Sequence, residues 1–251
     1  MVPSSRVAVR AEQVSPEAWA SLGRSGLEPS TCWDFSHQSS PGLRLGNARF
    51  NGVTPAGCVV NLVRRYTWPG DLVVDPMAGS GTVSDVARTL GRRAMAFDLA
   101  PRAPGIVRAD ARAWPLPESI ASLVVVDPPY SNNLAYSAEP GCLGRISCRE
   151  PRFYEEMGRV AAEAVRVLRP GGFLAWIISD EYRSGTYTPV GFRIWAVLQG
   201  SLTPVDTVVL VRHNDRSSSP LWEHRARRYN FFLRGFKFLF IFRKTGSGEA
   251  P

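Results

Sequence analysis

Lysine is almost missing from this chain: only Lys237 and Lys244 stand among its 30 basic residues, and the rest are arginines. Bidentate phosphate contacts or a GC-rich genome would each produce that bias, and the genomic origin weighs more. Cysteine is scarce too, with Cys32, Cys58, Cys142 and Cys148 showing no CxxC spacing and no neighbouring histidine cluster. Neither a zinc site nor a disulfide framework is indicated, and ordinary thiols of an intracellular protein are expected. Long apolar runs are absent. "FLAWII" and "FLFIF" are far shorter than the roughly 20 residues that span a bilayer, and "MVPSSRVAVRAEQ" has no apolar signal region. A soluble, cytoplasmic protein is expected.

What the chain does have is positive charge. Its 251 residues carry a formal +8 with a pI near 9.8, which favours polyanionic partners through long-range attraction and counterion release. Residues 1–50, rich in Ser, Pro and Gly, read as an N-terminal arm or small subdomain, with one helix at "SPEAWASLG" where Ser15 caps and Pro16 takes the first position. Residues 51–251 read as one α/β domain. It opens with a helix at "TPAGCVVNLVRRYT", Thr54 as cap, followed by strands at 71–75, 93–98, 105–110 and 122–127 and a helix at 81–91. The long helix "FYEEMGRVAAEAVRVL" should stop at "RPGG" before the strand "FLAWIIS"; "VGFRIWAVLQG" reads as a helix. "PVDTVVLV" and "FKFLFIF" read as strands with no helix between them, hence an antiparallel pair at the sheet edge. The alternation before them implies right-handed crossovers and a mostly parallel sheet covered on both faces.

Two turns carry the chemistry. In "DPMAGSGT", Gly79 and Gly81 let the backbone turn sharply where a strand meets a helix N-terminus, and Asp98 ends the next strand where a ribose-binding acid belongs. A phosphate loop is excluded because Thr82, not Lys, follows Gly81. The dinucleotide fingerprint fails at Ser84, and Asp75 would repel a pyrophosphate. S-adenosylmethionine, cationic and without phosphate, fits better. Candidate cofactor-binding residues are Asp75, Pro76, Met77, Ala78, Gly79, Gly81, Thr82 and Asp98, with Asp110 either accepting from the adenine amine or capping the segment after it.

The second turn, "DPPY" at 127–130, lies on the same edge of the sheet. Pro128 and Pro129 make it stiff, so that Asp127 and the Pro128 carbonyl can each accept an amine N–H while Tyr130 stacks on a planar base. His37, His213 and His224 stand in neither turn and read as surface or loop residues. No metal is called for.

"DPMAGSGT" followed by "FDLAPR", "ADAR" and "VVVDPPY" resembles the S-adenosylmethionine-dependent amino-methyltransferases of nucleic acids, the N-4/N-6 DNA methylase family, over roughly residues 50–180. The resemblance implies a doubly wound, mostly parallel seven-stranded sheet of the Rossmann-like methyltransferase type with an antiparallel edge pair. It implies that Gly79 and Gly81 bind the methionine part, that Asp98 binds ribose, and that Asp127, Pro128 and Tyr130 hold the target amine. Asp127 leans toward adenine N6, with cytosine N4 of DNA as the companion target. RNA-acting relatives, modifying cytosine N4 or guanine N2 in ribosomal or other structured RNA, remain an alternative. A glutamine methyltransferase acting on protein would prefer Asn at position 127. An Arg-rich insert at about 212–234 carries a net +4, and its Trp222, Arg225, Arg227 and Arg228 are the candidate nucleic-acid contacts, the bland alternative being a solvated loop.

Overall fold

Short β-branched runs bounded by polar turns build the centre of the molecule. The computed structural model describes residues 27–35, 45, 53–134, 136–213 and 219–245. The helix expected around Ser15 and Pro16 lies outside them, as do His37 and Arg216. In chain order the elements are β1 (Cys32–Trp33), α1 (Ala56–Tyr66), β2 (Leu72–Asp75), α2 (Thr82–Thr89), β3 (Arg93–Asp98), β4 (Val107–Arg108) and β5 (Ala121–Val126). After a 3-10 turn (Leu143–Arg145) come α3 (Pro151–Val167), β6 (Leu168–Ile178), β7 (Glu181–Arg183), β8 (Thr186–Thr188), α4 (Val190–Gln199), β9 (Thr203–Val211), α5 (Pro220–Arg228) and β10 (Phe236–Arg243).

The main sheet runs β1-β9-β10-β6-β5-β2-β3-β4. Strands β2 to β6 pair in parallel, while β10 is antiparallel to both β6 and β9. The seven expected strands are thus present, and β1 extends them by pairing in parallel with β9 at Cys32↔Val209 and Trp33↔Leu210. Every residue of β5 is buried, as a central strand covered on both faces requires.

Each face has its own core. On one, α3 presents Phe153, Met157, Val160, Ala164 and Val167, spaced for a helical stripe, against Val124, Trp176 and Phe240 and the neighbouring Ile194 of α4. On the other, Val59, Leu62 and Val63 of α1 and Val83 and Val86 of α2 cover Val73, Leu123, Ile177 and Leu239. Truncating a fully buried aromatic such as Phe153 to Ala would cost about 3–5 kcal/mol.

The structure corrects four expectations. Thr54 does not cap α1: Pro55 holds the N-cap position without a side-chain bond, and the Thr54 hydroxyl is used elsewhere. β6 starts at Leu168 rather than after "RPGG", because the Gly171 N–H donates to the Lys244 carbonyl (2.8 Å) and Lys244 N–H to the Gly172 carbonyl (2.9 Å), so the segment finds strand partners. The strand expected over 105–110 shrinks to Val107–Arg108. Between β9 and β10 there is a helix, α5, yet none of its residues is buried; it makes no crossover and the strands stay antiparallel.

One further element was not anticipated. β7 and β8 form a hairpin whose loop residues Ser184 and Gly185 both have positive φ (52° and 75°), the two-residue turn geometry that matches strand twist.

Candidate active site

β2 and β5 are neighbours in the sheet, paired in parallel at Val73↔Leu123. From β2 the chain moves to β3 and β4 on one side, and afterwards to β5 and β6 on the other. This reversal is the switch point at which doubly wound sheets bind ligands. Both sequence motifs leave the sheet there, and Asp75, Met77, Ala78, Ser80 and Thr82 line the same cavity as Asp127 and Pro129. Asp98 and Asp110 stand on its wall.

The first turn is held by its own backbone and by Asp98. Gly79 and Gly81 have φ of 50° and 87°, a region side-chain-bearing residues avoid. The Ala78 N–H donates to the Phe97 carbonyl (2.8 Å) and the Gly79 N–H to Asp98 Oδ2 (2.9 Å), while Asp98 Oδ1 accepts from the Ala100 N–H (2.9 Å). Asp98 therefore fastens the turn and still has lone pairs for a ligand hydroxyl. Asp75 is buried; burial pushes its carboxyl up to about 8, the nearby Asp127 and Asp98 add to the rise, and the Met77 N–H (3.1 Å) opposes it. A carboxyl so raised is drawn into its ionised form by a cation, so the cleft suits a cationic, phosphate-free ligand.

Asp110 is committed locally. Arg112 donates to it through Nε (2.8 Å) and Nη2 (2.5 Å), and the Arg112 N–H also reaches Oδ1 (2.9 Å). These bonds hold the Asp110 carboxyl below its ordinary range. The same guanidinium bonds Glu156 of α3 (2.8 Å) and the Gly141 carbonyl (3.2 Å), so Arg112 ties the cleft wall to the helix behind it.

In the second turn Asp127 is gripped from three sides. Thr54 Oγ1 donates to Oδ2 (2.5 Å), the Tyr130 hydroxyl donates to Oδ1 (2.7 Å), and Lys237 Nζ lies 3.7 Å from Oδ2. Burial, then the neighbouring Asp127, drives the Tyr130 hydroxyl well above its usual range, so it stays a donor. Pro128 is buried, whereas Pro129 faces the cleft.

Sequence reasoning missed several of these residues. Thr54 was assigned to a helix cap, and Lys237 was noted only for its rarity. Tyr136, Cys142 and Leu143, in the loop after the second turn, also line the cavity. Arg102 donates to the Tyr136 carbonyl (2.6 Å), and burial, then Asp127, pushes the Tyr136 hydroxyl up to about 12. A second tyrosine six positions beyond Tyr130 was a usable signal, since a loop leaving a strand end at the switch point must cross the cleft.

Within the Arg-rich insert, α5 buries no residue. α5 presents Trp222 with the Arg225 guanidinium 5.1 Å from its ring centre, and Arg228 lies 5.8 Å from the Tyr229 ring. Arg227 pairs with Glu223 at 3.2 Å, and Phe232 is 82% exposed. Among the histidines, His213 Nε2 lies 2.5 Å from Asp34 Oδ1 and His224 is exposed on α5. Among the described residues no group of three or more His, Cys, Asp or Glu is arranged to hold a metal, and no helix is long and apolar enough to cross a membrane.

A doubly wound sheet whose last strand is antiparallel, with an acidic glycine turn and a DPPY loop at its switch point, is the Rossmann-like fold of methyltransferases. Residues 4–105 match the model of a family described as DNA methylase. No curated protein matches the sequence significantly. Among solved structures, TrmN from Thermus thermophilus is 18% identical with a TM-score of 0.47, over 75% of this chain and 48% of its own. TTHA0409, also of Thermus thermophilus and a candidate DNA modification methylase, is 17% identical with a TM-score of 0.39, over 72% and 56%. The chain thus spans about half the length of these two. BH2331 of Bacillus halodurans C-125, a candidate methyltransferase, is 12% identical with a TM-score of 0.51, over 76% of this chain and 99% of its own, a likeness of fold.

Proposed function

We propose that the protein transfers a methyl group from S-adenosylmethionine to the exocyclic amino group of a base in nucleic acid, adenine N6 or cytosine N4. The observation that carries this reading is the shared cavity: the "DPMAGSGT" turn and the DPPY loop face each other across one cleft. The cofactor fits on physical grounds, because Asp98, with Asp75 drawn into its ionised form as a cation approaches, lines a site that would welcome a sulfonium and an ammonium and repel phosphate. In this reading Asp75, Pro76, Met77, Ala78, Gly79, Gly81 and Thr82 hold the methionine end and Asp98 the ribose. Asp110 supports the adenine side through Arg112.

When bound, S-adenosylmethionine supplies an electrophilic methyl group on a positively charged sulfur. An exocyclic amine is a weak nucleophile, since its lone pair is delocalised into the ring. An acceptor on each of its protons, Asp127 and the Pro128 carbonyl, favours the pyramidal form that frees that pair. Held in that form, the nitrogen would take the methyl group as the carbon–sulfur bond gives its electrons to the sulfur, which would leave as a neutral thioether. The surplus amine proton passes to Asp127 or through it to water. A carboxylate has about four lone-pair sites, so the two hydroxyls on Asp127 leave room for the amine. Tyr130 and Pro129 would flank the flipped base. Trp222, Arg225, Arg227 and Arg228 would grip the adjoining polymer.

The test is incubation with methyl-labelled cofactor and separate pools of DNA, ribosomal RNA and transfer RNA, followed by nucleoside mass analysis. Label in N6-methyl-2′-deoxyadenosine or N4-methyl-2′-deoxycytidine from the DNA pool is expected. Label confined to an RNA pool would replace the polymer assignment, and label on protein would refute the nucleic-acid reading.

A further inference from the structure

We infer that Lys237 is a positioning residue of this site: together with Thr54 it locks Asp127 and Tyr130 in the arrangement that receives the target amine, a role that rests on the methyltransferase reading above. The topology makes the contact. β10 runs antiparallel to β6, so its first residues arrive at the edge where β5 delivers its last. Along β10 the side chains alternate. Phe238 and Phe240 join the core beneath α4, while Leu239 and Ile241 join the one beneath α1, and Lys237 precedes them in that second row.

A lysine in an apolar row is costly unless it is paired, and an apolar residue of similar volume would serve stability as well or better. Its side chain is only 15% exposed, and its ammonium meets two groups of the target loop. One is Asp127 Oδ2 at 3.7 Å; the other is the Tyr130 ring, whose centre lies 5.3 Å away. Oδ2 is also the oxygen that Thr54 bonds, while the Tyr130 hydroxyl takes Oδ1. Three ties on two oxygens stop the carboxylate from rotating, and a cation over the Tyr130 face fixes the tilt of the ring. Asp127 thereby keeps a fixed lone-pair direction toward the cleft, and the base finds a pre-set acceptor instead of ordering one.

The full-length variants K237M, K237R, T54V and T54S test this, each with its melting temperature measured. K237M and T54V should lower kcat by roughly 10- to 100-fold while leaving S-adenosylmethionine affinity within about twofold, as expected when a reacting group is misplaced by a fraction of an ångström. K237R and T54S should recover most of the rate. Wild-type kcat in folded K237M, or a raised polymer KM with unchanged kcat, would overturn the proposal, the latter by making Lys237 a polymer contact. If K237M fails to fold, the T54V and T54S pair decides by the same criteria. Should the wild type methylate no pool, the functional reading fails separately, and crystal structures still judge the lock: Asp127 or Tyr130 is expected to leave its rotamer in K237M or T54V, and both staying in place would overturn it.

Discussion

Thr54 and Asp127 stand 73 positions apart and share a hydrogen bond of 2.5 Å. Thr54 precedes α1 and lines the cavity beside the first turn, while Asp127 directly follows β5, so this bond joins that wall of the cavity to the DPPY loop. The first turn and the DPPY loop are therefore parts of one assembly.

Asp127→Ala should bind S-adenosylmethionine with near-native affinity and lose methyl transfer, by roughly 100-fold or more if the acceptor acts chiefly in the transition state. Calorimetry and a label-transfer assay read the two effects separately. Full activity in this variant would refute the role given to Asp127.

Cofactor affinity should depend on pH through Asp75. Its carboxyl is raised to about 8, so in the free protein it is largely protonated at neutral pH. A cationic ligand favours the ionised form, and affinity should rise with pH up to about 8, by up to about tenfold per unit, then level off. Stability runs the other way: a raised carboxyl stabilises the fold at acid pH, and that contribution is lost as pH climbs from the ordinary carboxylate range through about 8. Asp75→Asn should bind the cofactor more weakly with a flat pH dependence. An equally steep profile in the variant would show that another group titrates.

Gly81→Ala places a Cβ on a residue with φ of 87°. Neighbouring atoms leave space, the nearest being Ser84 Oγ at 3.6 Å, so the cost is conformational. A loss of about 1–2 kcal/mol is expected, read as a lower melting temperature, together with weaker cofactor binding. An unchanged melting temperature would mean that the turn is softer than its geometry implies.

Replacing Arg225, Arg227 and Arg228 with Ala should weaken nucleic-acid binding and flatten its salt dependence by about one unit of slope per phosphate contact removed. Because α5 buries no residue, stability should hardly change. Unchanged binding would return the insert to a solvated surface loop.

What the sequence made legible was whatever a local pattern can carry. Apolar β-branched runs such as "LVVD" and "LVVV" marked β2 and β5, and the turns after them announced an acid, two glycines and a stiff loop. The hairpin at Glu181–Thr188 was readable in principle from a Ser-Gly pair between two short alternating runs. The locking of Asp127 was not readable. Thr54 and Lys237 meet it only because α1 packs beside β5 and because β10 reverses direction, and no spacing rule foretells a contact 73 positions away. Asp110 shows the opposite limit. Its two proposed uses looked alike in sequence, and only the Arg112 fork reveals which bonds its oxygens already make.

The most direct measurement is a crystal structure with S-adenosylhomocysteine, the demethylated cofactor. The account predicts its ribose hydroxyls on Asp98 and its sulfur turned toward Asp127 across the shared cleft. Density for the cofactor on another face, or calorimetry that finds no binding, would contradict it.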